Sequence, residues 1–179
     1  MIIGLVGKAG AGKDAVAKVL TEVKKFRLEK MAAPLYEMVG IMTGLSFDEL
    51  QDRDTKERVI PSFSKSPREL LQSLGTDWGR AMVCQDIWIK AIDARCRDCE
   101  NIVISDVRFD NECEWIKSRG GVIWEVTRPC NGCSLKGKST DCHKSEEGVS
   151  REFIDETIKN SGTLEALALK VLESYRSAC

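Results

Sequence analysis

No stretch of about 18 or more apolar residues occurs anywhere in the sequence, so it offers no candidate for a membrane-spanning helix. An excess of charge is also missing. The 27 Lys and Arg residues stand against 28 Asp and Glu, a formal net charge of −1. Proteins that grip nucleic acid through its phosphates need a basic field, so a polymer is not favoured as partner and a small molecule fits better. The opening residues Met1-Ile2-Ile3-Gly4 carry neither a basic n-region nor a small-residue cleavage site, which predicts no signal peptide. Internal repeats and low-complexity tracts are absent, and there is one histidine. What is present is ordinary. A chain of 179 residues, 42% apolar and 31% charged, is long enough for one soluble domain with a substantial core and too short for two comfortable ones. Its eight cysteines are expected as thiols in a reducing, cytoplasmic setting, because a disulfide framework suits poorly a chain patterned throughout as helix and strand.

That pattern alternates. Ile2 to Val6 is a short apolar run ending in glycines, as a buried parallel strand would. A helix is predicted from Lys13 to Val23, with Val16, Val19, Leu20 and Val23 at helical spacing, and a weak strand from Phe26 to Met31. Pro34 opens a helical face of Leu35, Met38, Val39 and Met42 that ends at Gly44, and Ser46 with Glu49 forms a capping box. Residues 51 to 66 read as a polar loop. Ser66-Pro67-Arg68-Glu69 is a strong helix start, and that helix should stop at Gly75. Further helices are expected over Asp86 to Arg97, Glu112 to Arg119 and the stripe from Leu164 to Tyr175; further strands over Ile102 to Ser105, Val122 to Val126 and Phe153 to Ile158. The expectation is an α/β fold: one domain over residues 1–179, a mainly parallel sheet of about five strands covered on both faces, and a helical region over residues 34–97.

The strand–helix junction at the start of the chain carries chemistry. Gly7-Lys8-Ala9-Gly10-Ala11-Gly12-Lys13 fits G-x-x-x-x-G-K, the phosphate-binding P-loop pattern. Glycines turn the chain with positive φ and bring amides close to phosphate oxygens. Lys13 adds a charge for the β- and γ-phosphates of ATP, and the helix that follows presents its free N–H groups to the anion. Asp14 stands where Ser or Thr usually meets Mg²⁺. A carboxylate there either binds the metal through oxygen or caps the helix.

Asp106, at the end of the Ile102–Ser105 run, lies where such enzymes hold a Mg²⁺-directed acid. All carboxyl ends of parallel strands gather at one edge, so Asp106 should neighbour the P-loop. Arg108 could clamp a phosphate, with Glu112 holding that arginine or a ribose. Arg68 and Gln72, four apart, share a helical face that suits a phosphate and a base edge, and Gly75, Thr76 and Arg80 follow. Trp88 either stacks on a base or fills the core.

With these residues in place, the chain resembles the bacteriophage deoxynucleoside monophosphate kinases over nearly its whole length. The resemblance rests on GKAGAGKD, SPRELLQSLGTDWGR followed by DIWI, VISDVRFDNE, VTRP, HKSEEG and IKNSGTLEAL. It implies a three-layer P-loop fold that passes a phosphoryl group from ATP with Mg²⁺ to a deoxynucleoside monophosphate. Its acceptor site would hold Arg68, Gln72, Gly75, Thr76 and Trp88, and its catalytic set would be Lys13, Asp106, Arg108 and Glu112. Nucleotide would be cradled by residues 7–15, namely Gly7, Lys8, Gly10, Ala11, Gly12, Lys13, Asp14 and Ala15, with Asp14 and Asp106 toward the metal. Ala15 departs from the pattern, since the family often carries Thr there. A dephospho-coenzyme A kinase-like enzyme and a nucleotide-binding switch are the rival readings, and a homodimer stays open.

Cys130, Cys133, Cys142 and His143 could supply four zinc ligands, with Cys96 and Cys99 as another pair. Adjacent Cys142 and His143 suit a single tetrahedral site poorly, and free thiols are the plainer reading. Lys136, Lys138 and Lys144 make the same loop basic, as a lid over phosphates or as a solvated loop.

Overall fold

The computed structural model describes residues 1–97, 99–129 and 148–178. The proposed zinc set, Cys130, Cys133, Cys142 and His143, and the basic positions Lys136, Lys138 and Lys144 lie outside the described residues. The chain forms two compact units, one made of Met1–Lys30 with Cys96–Cys179, the other of Met31–Arg95.

The first unit is built on a five-stranded sheet in the order β2-β3-β1-β4-β5. Its strands are β1 (Ile2–Val6), β2 (Arg27–Glu29), β3 (Ile102–Ile104), β4 (Val122–Thr127) and β5 (Glu156–Lys159). Every pairing is parallel, so the sheet is wholly rather than mainly parallel. Side chains alternate between faces along each strand. One set, Ile3, Leu5, Val103, Trp124, Val126 and Ile158, packs with Val16, Ala17 and Leu20 of α1 (Lys13–Lys24) and Leu167 and Val171 of α8 (Leu164–Ala178). The other set meets α7 (Asp110–Ser118): a Cβ on Gly4 would stand 2.7 Å from Ile116 Cδ1. The three central strands β1, β3 and β4 are mostly buried, and β1 and β3 read as continuous apolar runs, whereas the edge strands β2 and β5 keep exposed polar positions. Each fully buried aliphatic side chain contributes about 1.5–3 kcal/mol.

Among the boundaries in this unit that differ from the sequence expectation, two have a local cause. β5 starts at Glu156, after a 3₁₀ turn over Arg151–Phe153, because Asp155 spends its carboxylate on the Ile123 amide (2.6 Å) and so fixes the entry to the strand. β2 is three residues long, and Lys25 ends α1 just before it in a left-handed conformation.

The second unit is helical: α2 (Ala33–Thr43), α3 (Phe47–Gln51), α4 (Arg53–Glu57), α5 (Pro67–Gln72) and α6 (Ile87–Arg95). Gly44 caps α2 at φ 75°, and both expected capping boxes are formed, Ser46 with Glu49 and Ser66 with Glu69. Residues 51 to 66 are not all loop. Asp52 accepts from the Thr55 amide (2.9 Å) and starts α4, a turn too short to show an apolar period. Nor does the helix after Ser66 stop at Gly75. It widens into a π-helix over Ser73–Val83, in which the Cys84 amide reaches back to the Gly79 carbonyl (2.9 Å). Gly75 and Gly79 are used for close packing rather than for termination. A Cβ on Gly79 would lie 2.5 Å from the Trp88 ring, and one on Gly75 would lie 3.1 Å from Leu35.

Candidate active site

The loop between β1 and α1 has the cradle geometry its glycines predict. Gly7, Gly10 and Gly12 have φ of 137°, 75° and 105°. Gly12 opens α1 with no side chain capping it, so the positive end of the helix faces outward with its first amides available to an anion. Lys13 folds back over the loop, its Nζ donating to the carbonyls of Gly7 (2.6 Å) and Lys8 (3.1 Å). Burial lowers the Lys13 pKa below its ordinary 10.5 and repulsion from Arg108 lowers it further, while Asp14 and Asp106 act in the opposite sense. Arg108, Asp14 and Asp106 all act electrostatically on Lys13, and the four lie at the carboxyl ends of β1 and β3, which are neighbours in the sheet.

Within that group the roles separate. Asp106 is half-buried and Arg108 is exposed. Asp14 points outward, 87% exposed, with Lys30 Nζ 3.9 Å away. Ala15 is half-buried beside it. Glu112 is 1% exposed and turns to the backbone, its Oε2 accepting from the amides of Arg108 (2.8 Å) and Phe109 (3.2 Å). It therefore fixes the strand-to-helix turn that carries Arg108.

The acceptor-side candidates all belong to the second unit. Arg68 is exposed and pairs with Glu57 (Nε–Oε1 2.6 Å), while Gln72 and Thr76 are half-buried. Trp88 is 4% exposed and donates from Nε1 to the Gly75 carbonyl (2.8 Å). That is the core position weighed in the sequence, and it holds the π-helix at Gly75. The tryptophan with an open ring is Trp78, 39% exposed.

Asn160 has a role that its sequence position does not announce. It is 7% exposed, its Nδ2 donates to the Ala11 carbonyl (2.9 Å), and a Cβ on Gly12 would collide with that same nitrogen at 2.2 Å. Its own amide donates to the Thr127 carbonyl (2.7 Å). Asn160 thus buttresses the P-loop from the end of β5. Separated from Ala11 by 149 positions, it left no local signal apart from its place in the NSGT run. Asn160→Ala is expected to lower stability by about 1–2 kcal/mol in denaturant melts, the cost of a lost buried hydrogen bond. Asn160→Asp should be worse than Ala, because a carboxylate would face the Ala11 carbonyl. An aspartate variant more stable than the alanine variant would overturn the buttress.

Among the described residues no group of three or more His, Cys, Asp and Glu is placed to hold a metal. Cys84, Cys96, Cys99 and Cys113 are free thiols. Burial and the neighbouring carboxylates push Cys113 up to about 12, whereas the Asp86 amide and Lys90 lower Cys84. No described helix is long and apolar enough to cross a membrane.

This arrangement has relatives. Over 99% of its length and 97% of the relative's, the chain is 29% identical to an Acanthamoeba polyphaga mimivirus protein assigned as a deoxynucleotide monophosphate kinase. It is 25% identical to the deoxynucleoside-5'-monophosphate kinase of Escherichia phage T5, over 89% of each. Among solved structures, dephospho-CoA kinase from Campylobacter jejuni superposes with a TM-score of 0.55 over 99% of this chain and 96% of that one. At 9% identity that likeness speaks for the fold alone, a P-loop kinase fold. The sequence profile of the family described as deoxynucleotide monophosphate kinase matches residues 45–171, and with the P-loop, Asp106 and Arg108 grouped as above, the chain belongs to that family.

Proposed function

We propose that the protein transfers the γ-phosphoryl group of ATP, with Mg²⁺, to a deoxynucleoside monophosphate in the host cytoplasm, giving ADP and the deoxynucleoside diphosphate. The observation that carries this reading is the grouping of Lys13, Asp14, Asp106 and Arg108 around a glycine loop at the uncapped start of α1. Such a loop binds a triphosphate tail through amides and the lysine. Hard oxygen donors fit Mg²⁺, which takes one or two carboxylates and completes its shell with waters and phosphate oxygens. Asp106 and Asp14 are the carboxylates for it. When bound, the ion neutralises charge on the β- and γ-oxygens.

Transfer is direct. An oxygen of the acceptor monophosphate attacks the γ-phosphorus as the bond to the β–γ bridging oxygen breaks, and the electron pair leaves with ADP. The acceptor is already an anion near neutral pH, so the residues' task is alignment and charge neutralisation rather than proton abstraction. Lys13 and Arg108 would meet the transferring group. Glu112 would keep Arg108 on its turn. Arg68, Gln72 and Thr76 would hold the monophosphate, with Trp88 and Gly75 as their framework.

The test is ADP release from ATP with a panel of deoxynucleoside monophosphates, ribonucleoside monophosphates and dephospho-coenzyme A. Strong stimulation by deoxynucleoside monophosphates is expected. Stimulation by dephospho-coenzyme A alone, or turnover indifferent to every acceptor, would replace the reading with one of its rivals. Arg68→Ala should raise the acceptor KM by about ten- to a hundredfold, the loss of a charge-assisted hydrogen bond, and change the ATP KM far less. An unaltered acceptor KM would remove Arg68 from the site.

A further inference from the structure

Ser105 carries the one buried side-chain polar atom among the described residues that finds no hydrogen-bond partner. The residue is 3% exposed, and its amide still bonds to the Glu29 carbonyl of β2 (3.3 Å), so Ser105 continues the β3 ladder by one position. Alternation along the strand then puts its side chain on the Val103 side of the sheet. Val103 packs with Val16, Ala17 and Leu20, which makes this the face covered by α1. Because β3 runs parallel to β1, position 105 lies at the sheet edge from which the P-loop springs, immediately before Asp106.

A buried hydroxyl without a partner costs about 1–3 kcal/mol, so it calls for an explanation, of which a bound ion is one. The neighbouring helix lacks a hydroxyl where P-loops use one. The position after the P-loop lysine, whose Ser or Thr meets Mg²⁺ in the common pattern, is Asp14, with an 87% exposed side chain beside Lys30. The next is Ala15. The hard oxygen missing from the first turn of α1 is thus present at the end of β3.

We propose that Ser105 takes over this duty: its hydroxyl binds the hydrated Mg²⁺ of the Mg²⁺–ATP complex, next to Asp106. This rests on the P-loop function proposed above and deepens it, moving part of the metal site from the helix to the strand. Ser105 is then a metal-shell residue beside Asp106, supplying the neutral oxygen that the first turn of α1 lacks.

The experiment separates metal duty from packing. Purified full-length protein and its Ser105→Ala variant are titrated with a non-hydrolysable ATP analogue by calorimetry, once in excess Mg²⁺ and once in EDTA. Mn²⁺ binding to the analogue complex is followed in parallel by electron paramagnetic resonance. Loss of one hydrogen bond to a charged shell predicts analogue binding about tenfold weaker with Mg²⁺ and equal to wild type in EDTA. Mn²⁺ affinity should fall by the same factor. Removing an unpartnered hydroxyl should leave the apoprotein's Tm unchanged or raise it, whereas a hydroxyl that braces the fold would lower the Tm.

If Ser105→Ala does not fold, Ser105→Cys keeps the shape and removes the hard oxygen, and the same pair of titrations applies. Equal affinities with Mg²⁺, or a loss that is the same in EDTA, would overturn the assignment while the wild-type titration leaves the P-loop reading intact. A wild-type protein that binds no nucleotide would overturn both.

Discussion

Lys13→Ala is expected to lower phosphoryl transfer by about three orders of magnitude, at the upper end of what one charge-stabilising group supplies, while the apoprotein melts as before. The asymmetry follows from where the lysine sits. In the structure its ammonium is held by the Gly7 and Lys8 carbonyls and repelled by Arg108, and burial disfavours its charge. Its folded-state pKa is therefore below the unfolded 10.5. Between the two values the unfolded chain binds more protons, so stability rises with pH through that window, and below it the charged lysine works against folding. Removing such a group costs the fold little. What disappears is the charge for the β- and γ-phosphates.

The same shift predicts a pH signature. A bound triphosphate restores Lys13 toward its ordinary pKa, so nucleotide affinity should fall as pH rises through the lowered value, with proton uptake on binding. The Lys13→Ala variant should lose this alkaline dependence. The checks are a coupled assay for ADP, a thermal melt of both proteins, and calorimetry in buffers of different ionisation enthalpy. Near-wild-type transfer by the variant would end the P-loop assignment.

The parts of this protein that its sequence made legible are those whose signal is local. Ile2 to Val6 is apolar because both faces of β1 are buried, and Val16 and Leu20 recur at helical spacing because one side of α1 lies on the sheet. Ser66 and Glu69 announce a helix start because the capping box is written within four residues. The P-loop is legible for the same reason. What escaped depends on partners far along the chain. Gly75 looks like a helix stop in one dimension, yet Trp88, which arrives thirteen residues later, bonds to its carbonyl. Asn160 reaches Ala11 across most of the chain. Glu112 was legible as a companion of Arg108, but that it grips the arginine's amide instead of its guanidinium is visible only in three dimensions. Ser105 had no signal at all, because an unsatisfied hydroxyl is defined by what surrounds it.

Gly7→Ala should be the most damaging substitution in the loop for stability, although Gly7 is exposed and Lys13 carries the charge. A Cβ on Gly7 would stand 2.3 Å from the Val126 carbonyl oxygen, at a φ of 137° that side chains rarely adopt. No flexible neighbour can yield, because Val126 is backbone of β4 and is paired in register with Ile158 of β5. Either the ladder shifts or the loop lifts from it. Clash and strain together cost about 3 kcal/mol, a Tm lower by about 6–12 °C for a chain of this size, and the displaced loop amides should lose nucleotide with it. Gly10→Ala is the control. Its φ of 75° is also positive, but a Cβ there meets nothing within 4 Å. Only the left-handed conformation is then charged, about 1 kcal/mol, a Tm lower by about 2–4 °C. Gly12→Ala falls between them, since its Cβ would meet the Asn160 side chain at 2.2 Å, a group that can rotate once its bond to Ala11 is given up. Thermal melts of the three variants read the order directly. A Gly10 variant that melts below the Gly7 variant would mean that the loop is shaped by something other than its seat against β4.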